Sequence, residues 1–429
     1  MKYKEFAKRR LKLFKKMSDN SIAILWSNKE HTRNNDVLFP FRQNSNFYYL
    51  TGFKEPNAAL VLIKGKENKT IFFCEEKNEI KELWEGPILG CKKVKKELGF
   101  DDVLNIEEIK ENMRELIQNR TNIYCSLEDD FLSPKGNLLG LVNKKEVNPH
   151  KIIAIDSIIH QLRLRKSKKE IKLMKKAAQI SAASHRWVMR NTYPGDSELK
   201  TEAEFQYQCK LLGARELAYP SIVASGNNAC TLHYTKNDKI IKNGDLVLID
   251  AGCEVEHYAS DITRTFPANG TFSKEQAELY QVVLNAQRKA IATVKPGVEY
   301  SQIHKVAVKE ITTGLVSLGI LKGSVEQNIK NENYKQFFMH GTGHWLGLDV
   351  HDPHSYLEGK KSILLKPNMV LTVEPGIYIS KKAKNVDKKW KGIGIRIEDD
   401  ILVTKDGYEI LTHAVPKDIA DIETLMARL

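Results

Sequence analysis

The chain has 429 residues, 41% of them hydrophobic and 28% charged, which is too long for one core and is expected to form two domains with substantial interiors. No run approaches the roughly 18 consecutive apolar residues of a membrane-spanning helix, and the basic start continues into Lys, Asp and Asn where a secretory signal would carry ~7–15 apolar residues. The formal charge of +13 would draw phosphate, but the lysines are spread in patches at 8–16, 163–176 and 381–391 without a nucleic-acid-binding module, so solvated helix faces account for them and neither a nucleic-acid nor a membrane partner is expected.

Tyr3, Phe6, Leu13, Phe14 and Met17 recur at roughly helical spacing and predict an amphipathic helix over 3–17. A strand is expected at 22–26, and strands across 47–73, broken by the turn compositions Lys54-Glu55-Pro56-Asn57 and Gly65-Lys66-Glu67-Asn68. Leu83-Trp84-Glu85-Gly86-Pro87 reads as a loop with an exposed aromatic. Helical and strand patterns alternate over 103–159, so the first domain, placed at 1–160, is expected to be α/β. Ser167 followed by Glu170 has the capping-box spacing and opens a helix through Arg190, which Asn191-Thr192-Tyr193-Pro194-Gly195-Asp196 breaks. A second helix is expected at 198–212, then strands approaching Leu232-His233-Tyr234. Ser273 with Gln276 opens a helix to Val294, and another spans 301–318 before the remaining strands. Cys74, Cys91, Cys125, Cys209, Cys230 and Cys253 stand singly, without Cys-x-x-Cys spacing; reduced thiols in a cytoplasm are expected, and a thiolate metal site is not.

The chemistry concentrates in the second half. Leu246-Val247-Leu248-Ile249 ends abruptly in Asp250-Ala251-Gly252, the pattern of a buried strand whose last side chain is polar for a reason other than packing. Eleven residues on, Asp261 enters a run of Ile, Thr and Phe; were the two runs a hairpin, positions 250 and 261 would be cross-strand partners on one face. Two buried carboxylates persist only with a proton, a basic partner or a cation between them. Further candidates end or punctuate three later apolar runs, at His340 and His344, at Glu374, and at Arg396 with Glu398. In the last, Ile393, Ile395 and Ile397 alternate with Gly394, Arg396 and Glu398, which puts Arg396 and Glu398 on the face opposite the isoleucines.

The order Asp250, Asp261, His344, Glu374, Glu398, set in LIDAG, SDITRTF, HGTGHWLGLDVHD, TVEPGIY and GIGIRIEDD, closely resembles the pita-bread metallopeptidases, in particular the bacterial aminopeptidase P family. The stretch from Phe41 to Gly52, FRQNSNFYYLTG, resembles that family's amino-terminal domain, so the likeness covers nearly the whole chain. It implies an α/β (α+β) protein: a smaller α/β aminopeptidase P N-terminal domain at 1–160, then a pita-bread (creatinase/methionine-aminopeptidase-like) catalytic domain at 161–429 with pseudo-twofold structural symmetry. By the same resemblance Asp261 and Glu398 bridge two ions, Asp250 completes one site, and His344 with Glu374 completes the other. His351 and His233 would line the carbonyl and proline side of the scissile bond, His340 would be a further catalytic imidazole, Glu374 would double as a proton shuttle, and Arg396 would orient Glu398 or meet the substrate backbone. The Trp84 loop would reach a neighbouring subunit, which implies a homo-oligomer, dimer or tetramer.

Four carboxylates and one imidazole are mostly hard donors, suited to Mn²⁺, Fe²⁺ or Co²⁺. Five such side chains exceed one catalytic ion's need, so two divalent ions roughly 3.5–4 Å apart are expected, with Mn²⁺ the expected metal. A water between them has its pKa lowered towards about 7 and supplies hydroxide. The expected reaction is hydrolysis of the first bond of peptides with proline second, an amide with no N–H and a locked ring that requires a dedicated pocket. The alternatives on this fold are an Xaa-Pro dipeptidase (prolidase) and a methionine aminopeptidase, the latter disfavoured by the full amino-terminal domain; a non-catalytic pita-bread binding protein would have lost ligands that all stand here.

Overall fold

The computed structural model describes residues 3–127 and 151–427; the part of the alternating pattern expected over 128–150 lies outside the described residues. The chain divides into two units, Met1–Arg163 and Leu164–Leu429. Among the described residues, no helix is long and apolar enough to cross a membrane.

The first unit is built on a six-stranded mixed sheet in the order Asp102–Asn105, Lys69–Cys74, Ala59–Lys64, Ser21–Trp26, Asn122–Cys125, Lys151–Ala154. Period-two alternation sends Ile22, Ile24, Val61, Ile63, Ile71 and Phe73 into one core, where the i, i+4, i+8 stripe Ile109, Met113, Ile117 of the helix Ile109–Ile117 meets them. The structure corrects the expected strand at 47–53. The aromatic run Phe47-Tyr48-Tyr49-Leu50 is buried in a helix, Ser45–Thr51. The Asn44 side chain accepts from the Phe47 N–H at 3.0 Å, and Gly52 at φ 70° ends it. These two caps outweigh the strand preference of the aromatics. Trp84 is exposed as expected, at 83%, but it stands on a short helix, Glu79–Glu85, capped by Asn78.

In the second unit the helices Lys168–Asn191 and Lys274–Ala292 both open on the predicted capping boxes. Ser167 N–H donates to Glu170 at 2.8 Å and Ser273 N–H to Gln276 at 2.9 Å. Each is followed by a second helix, Glu198–Leu211 or Tyr300–Ser317, and then by strands. The first half contributes a sheet ordered Ile222–Ser225, Leu246–Asp250, Thr263–Pro267; the second contributes Val370–Val373, Asp399–Val403, Tyr408–Ile410 and the pair Gly376–Ile379, Ile393–Arg396. The repeated order of helix, helix and strands is not visible as a sequence repeat because it is carried by apolar periodicity, not by identities. Val247, Ile249, Phe266, Leu371, Val373, Ile377, Ile395 and Ile401 fill one core with helix residues such as Ala177, Val283, Leu284 and Ile311, so the strand ends that carry the polar candidates rest on a rigid base.

Candidate metal and active site

Asp250 closes the strand Leu246–Asp250. Val247 and Ile249 enter the main core, while Leu248 packs with Ile222, Ala224 and Ala229 on the other face; Asp250, two residues beyond Leu248, emerges on that second face. Its cross-strand partner is Thr263, not Asp261 as the eleven-residue spacing suggests, because part of the intervening chain forms its own hairpin of Cys253–Val255 and Tyr258–Ala259. The register is therefore displaced by two residues, an even number, and Asp261 still faces the same way as Asp250. The Tyr219 hydroxyl lies between them, 2.8 Å from Asp250 Oδ1 and hydrogen-bonded to Asp261 as well. Gly252 permits this close return: a Cβ there would stand 1.9 Å from the Ser260 carbonyl oxygen.

Glu374 directly follows the strand Val370–Val373, and Glu398 lies between Ile393–Arg396 and Asp399–Val403. Glu398 Oε2 accepts from Thr263 Oγ1 at 2.6 Å. The run 337–344, read as strand-like, is irregular instead; Trp345 bridges to Leu371, and the His344 N–H bonds Thr372 Oγ1 at 3.1 Å. Gly343 is required there, since a Cβ would lie 2.0 Å from the Thr372 carbonyl oxygen. His344 Nδ1 donates to the Trp345 carbonyl at 3.0 Å. That turns Nε2 towards Asp261, 3.4 Å away, and Glu374, 3.6 Å away. Donor atoms of Asp261, His344 and Glu398 all lie within 4.8 Å of one another.

Burial sets the electrostatics. It pushes Asp250 and Glu398 above the usual carboxylate range, Glu398 furthest because Asp261, Glu374 and Asp250 add repulsion; burial likewise takes Glu374 up to about 7. Burial opposes charge on Asp261 and His344 too, but their hydrogen bond wins: Asp261 is held down, and His344, facing Glu374 as well, is pushed up to about 9. A crowded set of carboxylates that must take up protons is what a divalent cation would relieve. The five side chains thus fit the expected group: oxygen donors on several sides and an imidazole whose second nitrogen is fixed by a carbonyl, leaving Nε2 free to ligate.

Arg396 engages Asp250, not the neighbouring Glu398: its Nη2 is 2.6 Å from Asp250 Oδ2, Nη1 is 3.0 Å from the Tyr378 hydroxyl and Nε is 3.2 Å from Thr263 Oγ1. Tyr378 in turn lies 2.8 Å from His340 Nε2, whose Nδ1 donates to Gly341 O at 2.6 Å. Burial, then the charge of Arg396, hold His340 down at about 4, so it is neutral. The His351 ring stands edge-on to His344 at 4.3 Å between centroids, and burial followed by the His344 charge lowers its pKa. His233 stands on an irregular excursion that follows the strand Ile222–Ser225, one of the strands expected on its approach. All nine sequence-predicted residues line one cavity of about 330 Å³. Sequence reasoning missed Tyr219, Thr263 and Tyr378, which bind the charged groups together, and Asp400, which accepts the Asp261 N–H at 3.2 Å. A hydroxyl gives no signal until the fold brings it to a carboxylate; Asp400 and Thr263 each stood two residues from a candidate, Glu398 and Asp261, without anything to mark their role.

A pita-bread unit whose strand ends gather four carboxylates and a histidine in one cavity defines the class of metallopeptidases. Residues 172–405 match the model of metallopeptidase family M24, and residues 6–124 match that of the aminopeptidase P N-terminal domain. The chain is 47% identical to Xaa-Pro aminopeptidase of Haemophilus influenzae, with 98% of this chain and 97% of that one aligned. It superposes on Pseudomonas aeruginosa aminopeptidase PepP with a TM-score of 0.96 at 45% identity, covering 99% and 98% of the chains. Zinc-substituted Escherichia coli aminopeptidase P, solved in complex with product, gives 0.95 at 39% with the same coverage. The chain belongs to metallopeptidase family M24, in its aminopeptidase P branch.

Proposed function

We propose that the protein is a dinuclear-metal Xaa-Pro aminopeptidase that releases the first residue from peptides with proline second. The observation that carries this reading is the convergence of Asp250, Asp261, His344, Glu374 and Glu398 with His233, His340, His351 and Arg396 on one cavity, in a chain of this family. Residues 161–429 carry the chemistry, with 1–160 as the aminopeptidase P N-terminal domain. The five acidic and imidazole ligands hold two divalent cations, with Mn²⁺ favoured by the oxygen-rich set. Cations held there would supply Lewis acidity and lower the pKa of a nearby water towards about 7.

The chain's own groups do the rest. Arg396 and Tyr219 fix Asp250 from its two oxygens, and Thr263 fixes Glu398, so the ligands are oriented before substrate arrives. Arg396 also lines the cavity, where it meets substrate backbone. His351, neutral near pH 7, donates to the scissile carbonyl as negative charge grows on its oxygen. His233 lines the proline side. Glu374, which lines the cavity, takes a proton from the attacking water and returns it to the prolyl nitrogen. His340 acts through the Tyr378 hydroxyl it touches. Exposed Ile80, Leu83 and Trp84 are an apolar surface of the kind that subunit contacts cover, so we read the enzyme as a homo-oligomer, dimer or tetramer, working in the cytoplasm.

The test is a peptide panel. Chelator-stripped protein should be inactive, and Mn²⁺ should restore it better than Mg²⁺. Mass spectrometry should then find one free amino acid and a Pro-initiated remainder from Xaa-Pro-Xaa. Activity in metal-free protein would refute the dinuclear reading; turnover confined to Xaa-Pro dipeptides would make it a dipeptidase.

A further inference from the structure

Outside the cavity, one buried carboxylate gathers an unusual number of donors. Glu198 opens the helix Glu198–Leu211 just after its cap Ser197 and is fully buried. Its Oε1 accepts from Ser225 N–H at 2.7 Å, Ser225 Oγ at 2.7 Å and Asn228 Nδ2 at 2.9 Å. Its Oε2 accepts from the Tyr234 hydroxyl at 2.8 Å and Lys239 N–H at 3.0 Å. Five donors saturate the roughly four lone-pair sites of a carboxylate, and none of them is a cation. All five belong to the excursion 225–239, which leaves the strand Ile222–Ser225 and has little ladder of its own. That excursion presents Leu232, His233 and Thr235 to the cavity, while Glu198 itself does not line it.

We propose that Glu198 is a positioning residue for substrate recognition: by clasping 225–239 from behind it fixes where His233 stands at the cavity. This rests on the reading of His233 as a substrate-binding group. An irregular segment satisfies its N–H groups either with water or with fixed acceptors, and water leaves the chain free to wander. Here the acceptor is one side chain on a rigid helix, and the helix N-terminus favours its negative charge. Asn237, buried at φ 47°, adds a second anchor by accepting from Val223 N–H at 3.0 Å and donating to the Ser221 carbonyl at 2.9 Å. Glu198→Gln replaces one acceptor oxygen by a donor NH₂, so in either orientation a backbone N–H, of Ser225 or of Lys239, loses its partner. Since none of these groups touches a proposed metal ligand, the metal complement should be untouched.

The experiment is a double-mutant cycle on the Mn²⁺-loaded full chain with an Xaa-Pro-Xaa tripeptide. Glu198→Gln should lower kcat/KM by about 10–100-fold, the scale of misplacement of a contact group, with metal per subunit unchanged. In a His233→Ala background the same change should cost less than about 3-fold, because the group it positions is gone. Tyr234→Phe, which removes one of the five donors and leaves the carboxylate in place, should show the same dependence on His233 with a smaller loss; it carries the test alone should Glu198→Gln not fold. Equal losses with and without His233 would overturn the proposal in favour of a structural role. So would wild-type kinetics in Glu198→Gln while His233→Ala is impaired. Wild-type kinetics in His233→Ala would instead overturn the substrate-binding reading of His233, and the proposal with it.

Discussion

His185 makes the stability of the catalytic unit depend on pH in a way that can be isolated. It is completely buried on the helix Lys168–Asn191, packs edge-on against Phe205 at 5.0 Å, and donates Nε2–H to the Ala251 carbonyl oxygen at 2.9 Å. Its Nδ1 is buried and has no hydrogen-bond partner among the described residues. Burial lowers its pKa from the ordinary 6.5 to about 4, and the Arg264 charge adds to this. The unfolded chain therefore takes up the proton first on acidification. The stability held by neutral His185 is complete above pH 6.5 and is lost as the pH falls towards 4. At about 1.4 kcal/mol per pH unit the full gap is worth about 3 kcal/mol, most of it lost by pH 4.5. His185→Gln keeps an amide donor for Ala251 but does not titrate. Urea unfolding with chelator present, followed by the fluorescence of buried Trp345 and Trp390, would give stability at pH 7.0 and pH 4.5 for both proteins. The carboxylates titrate in both and cancel, as does any packing cost of the substitution. Wild type should lose about 2–3 kcal/mol more than the variant; parallel losses would refute the argument.

Asp261→Asn and His351→Ala should separate on two measurements: the first should lose metal and activity together, whereas the second should keep its metal by elemental analysis and lose about 10²–10⁴-fold in kcat. Loss of metal in His351→Ala would refute that division of roles. Arg264→Met strips Asp399 of a buried partner at 2.7 Å and the Thr263, Glu398, Val415 and Pro416 carbonyls of their donor. It should cost about 3–5 kcal/mol in urea unfolding, and a loss under about 1 kcal/mol would contradict the packing described. Arg396→Lys keeps the charge but cannot reach Asp250, Tyr378 and Thr263 at once, so kcat/KM should fall while Tm changes little by calorimetry.

The site was readable in the sequence to the extent that its residues end apolar runs. Asp250, Glu374 and Glu398 sit at strand ends, where alternation announces a polar residue that packing does not ask for. The reading failed where contacts between distant segments decide structure. The helix Ser45–Thr51 was hidden because its aromatic run favours strands and only the flanking Asn44 and Gly52 argue otherwise. The pairing of Asp250 with Thr263 was hidden because a hairpin's length does not say that its middle folds on its own. The same limit explains why Arg396 was read beside Glu398: one-face alternation is right, but its bond partner, Asp250, comes from a strand 146 residues away.

Why nine residues scattered over more than 160 positions meet at one place follows from how the two halves of the catalytic unit are joined. The first half supplies His233, Asp250 and Asp261, and the second supplies the rest. Along the seam, Glu398 N–H donates to the Thr263 carbonyl at 3.1 Å, Arg264 binds Asp399, and Thr265 Oγ1 donates to the Arg396 carbonyl at 3.0 Å. Three consecutive residues of one half thus grip Arg396, Glu398 and Asp399 of the other, and the candidate ligands Asp261 and Glu398 lie at the same end of that grip. The Arg264–Asp399 pair is wholly buried, and Lys417 and Gln287 complete it at 2.7 Å each, so the seam is fixed by groups that cannot shift without leaving a charge unpaired. The cost of confining four carboxylates in one cavity is met by this rigid frame in the folded chain and, in the proposed enzyme, by the cations the carboxylates enclose.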